Sequence, residues 1–142
     1  MLEKKLKELD EKYLKEGASK IDDGDVKIAA ENQEQISDKI LNSSMLKKYT
    51  EIGKLMFGML QDYRSGTYRN IPWFSIAAIT FAFLYILNPF DIVPDFIPGL
   101  GYIDDFAIMT ITLRFLETDL HSYLDWKLAE GDSEEEEEPE FA

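Results

Sequence analysis

Four aspartates in one short stretch are the residues of this chain best suited to chemistry. The stretch runs from Asn88 to Asp105 and holds three of the five prolines, two glycines and no lysine or arginine. We call it the elbow, and its carboxylates are Asp91, Asp95, Asp104 and Asp105. If these like charges converge, they must be offset by cations, by the amides of helix N-termini or by protonation.

Three arrangements would satisfy these carboxylates, and the sequence leaves all three open. Each aspartate can cap the start of a helix, which is the arrangement that the spacing favours. One aspartate can instead pair with Arg114 and hold the two arms of the elbow together. All four can chelate Mg²⁺ or Ca²⁺, which prefer oxygen ligands, although the elbow contains no glutamate to complete such a site.

Other patterns that could support catalysis are weaker. His121 is the single histidine and cysteine is absent, so multi-histidine and thiolate metal sites are excluded. Glu117 and Asp125 flank His121 at i−4 and i+4, which suits general-base chemistry but is also typical of a solvated helix face. No Ser-His-Asp order, phosphate-binding glycine loop or dinucleotide fingerprint is present. We assign no catalytic residue and lean toward a non-catalytic protein.

The charge of the chain argues against nucleic acid as a partner. The net charge is −13 over 142 residues, and no basic patch is rich enough to neutralise several phosphates. Seven of the negative charges lie between Asp132 and Glu140, a like-charge block that is typically solvated and disordered. The N-terminus is charged and amphipathic, so we do not interpret it as a signal peptide.

Hydrophobic periodicity predicts an all-α fold of about five helices. Residues 1–16 form a short amphipathic helix that ends at Gly17. Asp22, Asp23 and Asp25 lack EF-hand spacing, so we interpret them as a turn, with Asp25 capping a helix from Val26 to about Leu41.

Two further helices flank an apolar segment. A helix from Met45 to Arg64 carries an apolar stripe and is closed by Ser65 and Gly66. A final helix opens at Asp104-Asp105 and keeps three-four apolar spacing from Phe106 to Tyr123.

The central segment, Ile71 to Leu87, is apolar on all sides and uncharged, so it belongs either in a protein core or in lipid. Its length of about 25 Å is at the short limit for crossing a hydrocarbon layer of about 30 Å. The lysines and arginines that precede it place that side in the cytoplasm under the positive-inside rule. A two-span hairpin is disfavoured, because the returning arm is short and carries two aspartates and Arg114. We predict either shallow or re-entrant insertion from the cytoplasmic face, with both termini and the elbow on that side, or a core helix in a soluble bundle.

The elbow resembles the signature of the YkvA-like family, a small helical domain of unknown function. The string from Tyr85 to Asp105, YILNPFDIVPDFIPGLGYIDD, carries the resemblance, and the segment from Leu60 to Arg69 is also similar. The resemblance covers roughly Met59 to Asp125 and implies membrane association but no established reaction. The positions that form the motif, with a structural or partner-binding role, are Asn88, Pro89, Asp91, Pro94, Asp95, Pro98, Gly101, Asp104 and Asp105.

These observations predict N-terminal amphipathic helices over 1–44, a helical domain over 45–128 and a disordered acidic tail over 129–142. The domain contains a central apolar helical hairpin joined by the elbow. The function that we favour is a non-catalytic scaffold or interaction module at the cytoplasmic face of a membrane, with an unknown protein partner or the lipid surface. The alternative is a soluble, cytoplasmic bundle with a divalent-cation site at the elbow, for which hydrolysis is an option.

Overall fold

A computed structural model describes residues 2–88 and 105–137, and within them the side chains of 11–88 and 106–130. This part of the chain contains six α-helices and one 3₁₀ turn, and it contains no β-strand. The predicted all-α class is confirmed. The helices are α1 (Leu2–Ser19), α2 (Asp23–Glu31), α3 (Gln33–Asn42), α4 (Thr50–Ser65), α5 (Trp73–Leu87) and α6 (Asp105–Glu137); the 3₁₀ turn, Lys47–Tyr49, precedes α4.

The apolar segment forms α5, and α5 lies at the centre of the bundle. It contacts each of the other five helices. Eleven of its residues are buried, including Ile79, Phe81 and Phe83, whereas Trp73 at its first position is exposed. The ring of Phe83 stacks on that of Phe57 from α4 with centroids 3.9 Å apart. A helix that is apolar on all sides is therefore covered by protein on all sides.

The N-terminal helices share this core with the later helices. Tyr13 and Leu14 from α1, Ala29 from α2 and Ile36 from α3 are all buried in the cluster that includes α5. Helices α1 to α3 form part of the wall around α5.

Two predicted boundaries in the N-terminal region are wrong, and the single helix predicted from Val26 to about Leu41 is in fact two helices, α2 and α3. Gly17 does not end α1, which continues to Ser19. Gly17 lies instead where the ring of Phe81 packs against the helix. The next helix begins at Asp23, because Asp22 is its N-cap and forms a reciprocal capping box with Asp25. This helix then breaks at Asn32, whose side-chain amide donates to the Ile28 carbonyl at 2.7 Å and helps to separate α2 from α3.

The helix predicted from Met45 begins later than expected. The backbone amide of Leu46 donates to the Ser43 hydroxyl at 3.2 Å, and the 3₁₀ turn follows before α4 starts at Thr50. Met45 therefore falls outside the apolar stripe of α4 and is 56% exposed. The C-terminal end is as predicted, since Gly66 adopts a left-handed φ of 83°.

Helices α5 and α6 form the two arms of the predicted hairpin and pack against each other. The ring of Phe74 at the start of α5 lies 5.4 Å from that of Phe115 on α6. The neighbouring hydroxyl of Ser75, which is buried, donates to the carboxylate of Asp119. These contacts join the beginning of α5 to the middle of α6.

Helix α6 continues to Glu137, and residues 138–142 lie outside the described part. The disorder that the acidic composition suggests for 129–142 stays a prediction. Across the described residues, none of the helices combines the length and the apolarity needed to span a bilayer.

Candidate functional site: the elbow end of the bundle

The first anchor of the elbow is the C-terminal end of α5. The ammonium group of Lys39, on α3, donates a hydrogen bond of 2.5 Å to the carbonyl oxygen of Leu87, the last residue of α5. The last carbonyls of a helix have no partner within the helix and carry partial negative charge, so a lysine is well placed there. Lys39 thus holds the residue from which the chain enters the elbow.

The second anchor is the beginning of α6. The hydroxyls of Tyr49 and Thr110 lie 2.9 Å apart and share a hydrogen bond. The rings of Tyr49 and Phe106 are 5.7 Å apart, and the ammonium of Lys48 lies 4.8 Å from the Phe106 centroid. These contacts hold the residue from which the chain leaves the elbow.

Both anchors come from one continuous segment, residues 39–49. Within its first ten residues, 39–48, the segment has three lysines and no acid. Leu41 and Met45 are exposed by 48% and 56%. We call the exposed members of this segment the basic-apolar rim: Lys39, Leu41, Met45, Lys47 and Lys48. The rim therefore flanks the two ends of the elbow with cations and exposed apolar side chains.

The structure describes few of the site residues predicted from the sequence. Asn88 is extended, with φ −156° and ψ 91°, and its amide donates to the Leu84 carbonyl at 2.9 Å. Asp105 is the first residue of α6, which agrees with a helix opening at Asp104-Asp105, but its side chain is not described. The remaining motif positions lie outside the described residues: Pro89, Asp91, Pro94, Asp95, Pro98, Gly101 and Asp104.

The proposed ligands and ion pairs of the elbow aspartates accordingly stay predictions. Arg114 is exposed on α6, and no ion pair joins it to another described residue. In the described ranges, 2–88 and 105–137, no three acidic or histidine side chains are grouped as a metal site would need. Of the four aspartates of the suggested Mg²⁺ or Ca²⁺ site, Asp91, Asp95 and Asp104 lie outside the described residues, and the side chain of Asp105 is not described.

The residues around His121 lie on the open surface of α6. Glu117, His121 and Asp125 are all exposed. His121 and Glu117 border a shallow apolar groove of about 250 Å³ between α4 and α6. Because all three side chains are exposed to water, they have the environment of a solvated helix face.

Sequence reasoning missed a polar network that joins α4 to α6. The hydroxyl of Tyr123, which is fully buried, donates to the Asp62 carboxylate at 2.6 Å. Lys127 lies 3.3 Å from that hydroxyl and 3.9 Å from the carboxylate. Gly58 permits this approach, because a Cβ atom there would lie 2.7 Å from the Tyr123 hydroxyl.

Burial, together with the hydrogen bond to Asp62, raises the pKa of Tyr123 well above its ordinary value. The hydroxyl therefore stays protonated at neutral pH and acts as a donor, which suits a structural role. Asp62 lies in the segment from Leu60 to Arg69 that resembles the family, so this segment could have indicated the network. Its partner, Tyr123, lies 61 residues further along the chain.

An all-α module with a buried apolar helix and an acidic elbow matches the family that the elbow motif implied. A family model described as "Protein of unknown function (DUF1232)" matches residues 75–111. A Bacillus subtilis (strain 168) protein named "Uncharacterized membrane protein YkvA" is 37% identical over 89 residues, which are 63% of this chain and 84% of that protein. No solved structure matches the chain. The chain belongs to the YkvA-like family.

Proposed function

We propose that this chain is a non-catalytic, membrane-associated module that rests on the cytoplasmic face of the bilayer through its elbow end. The observation that carries the proposal is the basic-apolar rim beside the elbow. The name of the Bacillus relative supports membrane association alone, since that relative is named a membrane protein.

The rim has the composition that favours the surface of an anionic membrane. A basic residue close to such a surface contributes roughly 1 kcal/mol, and apolar side chains add to this by entering the boundary between headgroups and acyl chains. Three lysines and two exposed apolar residues lie within ten positions, without an acid among them. The adjoining elbow sequence adds Phe90, Ile92 and other apolar residues.

The burial of α5 supports a surface contact over an insertion of this helix. To enter lipid, α5 would have to leave five helices that cover its apolar side chains. Each large side chain that α5 withdrew from the core would lose about 1.5–3 kcal/mol of burial, and contact with the acyl chains would replace that loss. The surrounding helices, however, would lose the core that they form with α5. The rim requires no such rearrangement.

The elbow aspartates are an alternative set of partners for the rim lysines, because four carboxylates lie in the sequence between Leu87 and Phe106, the residues that Lys39 and Lys48 contact. If the lysines serve mainly as counter-ions to these carboxylates, removing them will lower the melting temperature of the protein. If they serve a membrane, Lys47→Gln alone will lower vesicle affinity and leave the melting temperature almost unchanged, because the Lys47 side chain belongs to neither anchor of the elbow.

Vesicle co-sedimentation tests the proposal directly. We expect the protein to bind vesicles of phosphatidylglycerol and phosphatidylcholine, with weaker binding as salt rises. The double variant Lys47→Gln/Lys48→Gln should weaken binding by roughly 30-fold, the equivalent of about 2 kcal/mol. Leu41→Ser should weaken it to a smaller extent.

Two matched controls are available. Ile28→Ser removes an apolar residue of α2 with 48% exposure, equal to that of Leu41, and Lys54→Gln removes an exposed lysine of α4. Both controls should bind like the wild type. Equal losses in controls and rim variants, or no binding by the wild type, would contradict the proposal.

The orientation of the elbow can be tested because the chain has no cysteine. In Leu100→Cys, a membrane-impermeant thiol reagent should label the single cysteine in inverted membrane vesicles and not in intact cells. Labelling from the outside of intact cells alone would establish a crossing and overturn the cytoplasmic placement.

A further inference from the structure

A second surface lies at the end of the bundle opposite the elbow. It is a cleft of about 440 Å³ between the first turns of α2 and the C-terminal end of α4. Its lining consists of Asp23, Val26, Lys27, Tyr63, Arg64 and Arg69. Clefts that hold small ligands commonly enclose roughly 300–1,000 Å³, so the space suffices for a small molecule.

The lining carries more positive than negative charge in a strongly acidic protein. The lining has three cations, Lys27, Arg64 and Arg69, and one carboxylate, that of Asp23. The net charge of the lining is therefore +2. No ion pair is recorded between any of these three cations and another described residue. The guanidinium of Arg69 lies 4.8 Å from the centroid of the Tyr63 ring, so its orientation is held while its N–H groups remain available.

A tight turn brings the two arginines to the same cleft. Gly66 ends α4 in the left-handed conformation, and the hydroxyls of Ser65 and Thr67 lie 2.8 Å apart. The amide of Tyr68 then donates to the Asp62 carbonyl at 3.1 Å. The buried ring of Tyr68 packs 5.2 Å from Tyr123 and 4.8 Å from Trp126, while the next residue, Arg69, is exposed. The burial of Tyr68 thus fixes Arg69 on the outside of the turn.

We propose that this cleft binds a phosphate group, carried by a small molecule that lies against the ring of Tyr63. Arginine matches phosphate because its planar N–H groups can form two parallel hydrogen bonds to the oxygens, and Lys27 supplies a third cation. A lipid headgroup and a free phosphate ester present the same chemistry to these residues. The proposal is independent of the rim and of membrane association.

Binding of phosphate in solution separates the two sources. Inorganic phosphate and glycerol 3-phosphate are titrated into the full chain by calorimetry, with sodium chloride at equal ionic strength as the reference. Phosphatidic acid in phosphatidylcholine vesicles forms the second arm. Saturable binding of the soluble probes identifies a free phosphate ester. Binding of the vesicles alone identifies a headgroup in the cleft if it persists in Lys47→Gln/Lys48→Gln, which removes the rim lysines, and is lost in Arg64→Gln and Arg69→Gln.

The variants test whether the cleft is responsible. Arg64→Gln and Arg69→Gln should each weaken binding of the responding probe by about tenfold or more, and Arg→Lys at either position should weaken it less. Lys54→Gln is the control, since Lys54 is an exposed lysine of α4 paired with Glu51 outside the cleft. Circular dichroism verifies that each variant is folded.

Two results would overturn the proposal. The first is that neither the soluble probes nor the phosphatidic acid vesicles bind the wild type above the chloride reference. The second is that the arginine variants bind with the affinity of the wild type.

Discussion

The buried hydroxyl of Tyr123 is the residue-level contact that ties α6 to α4. Its ring contacts Tyr68 and Trp126, and its hydroxyl donates to Asp62, so apolar and polar contacts act on one side chain. Because Tyr68 belongs to the turn that positions Arg69, this contact also supports the proposed phosphate cleft. The network thereby connects the core to one of the two candidate surfaces.

Removing the Tyr123 hydroxyl tests the network. We expect Tyr123→Phe to lower the free energy of unfolding by about 1–2 kcal/mol, because Asp62 loses a hydrogen bond to its charge but is 23% exposed and can be hydrated. Urea unfolding at pH 7 measures the change. Tyr63→Phe is the matched control, since the Tyr63 hydroxyl has no hydrogen-bond partner among the described residues. A loss as large as that of Tyr123→Phe would argue against the network.

We expect Tyr123 to make the protein less stable at alkaline pH. Burial, with the hydrogen bond to Asp62, raises the pKa of Tyr123 above the ordinary value near 10. Above that pH the unfolded chain releases the proton while the folded chain keeps it, so stability falls as pH rises; below it the effect is absent.

Melting temperatures measured from pH 8 to about pH 11.5 should therefore fall less steeply in Tyr123→Phe than in the wild type. Burial also raises the pKa of Tyr13, so part of the decline should persist in the variant. Parallel curves would show that Tyr123 does not contribute.

At the scale of the elements, close packing of α1 on α5 makes the N-terminal helix part of the bundle. A Cβ atom at Gly17 would lie 2.3 Å from the ring of Phe81, which is itself buried between Tyr13 and Tyr85. A side chain at position 17 must therefore displace either the ring or the helix.

We expect Gly17→Ala to destabilise the protein by about 1–3 kcal/mol in chemical unfolding. Gly53→Ala is the matched control, because its added Cβ would lie at an ordinary 3.6 Å from Ile40. Alanine should there be neutral or stabilise α4 by about 0.5–1 kcal/mol. Equal effects at both sites would show that α1 does not pack as closely on α5 as the structure has it.

The elbow aspartates are a separate prediction about helix starts. If they act as caps, Asp104→Ala or Asp105→Ala should each cost about 0.5–2 kcal/mol, and asparagine should cost less. Added Mg²⁺ or Ca²⁺ should then leave the melting temperature unchanged. A rise in melting temperature with either cation, abolished by asparagine at these positions, would establish chelation instead.

At the scale of the whole molecule, the six helices enclose one hydrophobic core and leave two charged surfaces at its opposite ends. The basic-apolar rim flanks the elbow, and the cationic cleft lies beside the turn at Gly66. Both surfaces are positive, although the chain as a whole carries −13. The acidic residues from Asp132 to Glu140 account for seven of those charges.

Deleting residues 132–142 should leave the melting temperature essentially unchanged, because a like-charge tail is expected to make few contacts with the body. The same deletion should strengthen binding to anionic vesicles, because it removes seven negative charges. Calorimetry and vesicle sedimentation measure the two effects. A fall of several degrees would indicate that the tail docks on the body, with Lys47, Lys48 and Lys54 as candidate contacts.

Much of this fold could be predicted from local patterns in the sequence. The uncharged run from Ile71 to Leu87 predicted one helix that is apolar all round, and three-four spacing predicted the inward face of α6. Gly66 ends α4 as expected, because glycine adopts the left-handed backbone conformation more easily than other residues. The elbow string also identified the family, because prolines and aspartates in a fixed register form a specific pattern.

Tertiary structure alone decided what surrounds the apolar helix and which residues meet at its ends. Sequence could not choose between protein and lipid for α5, because both environments select the same side chains; the structure surrounds it with five helices. Gly17 looked like a helix stop because glycine has that role locally, whereas its real constraint is the ring of Phe81, 64 positions away in the chain. Helix packing, which no local periodicity encodes, likewise brings together three sets of residues: Lys39 with Leu87, Tyr123 with Asp62, and Lys27 with the two arginines.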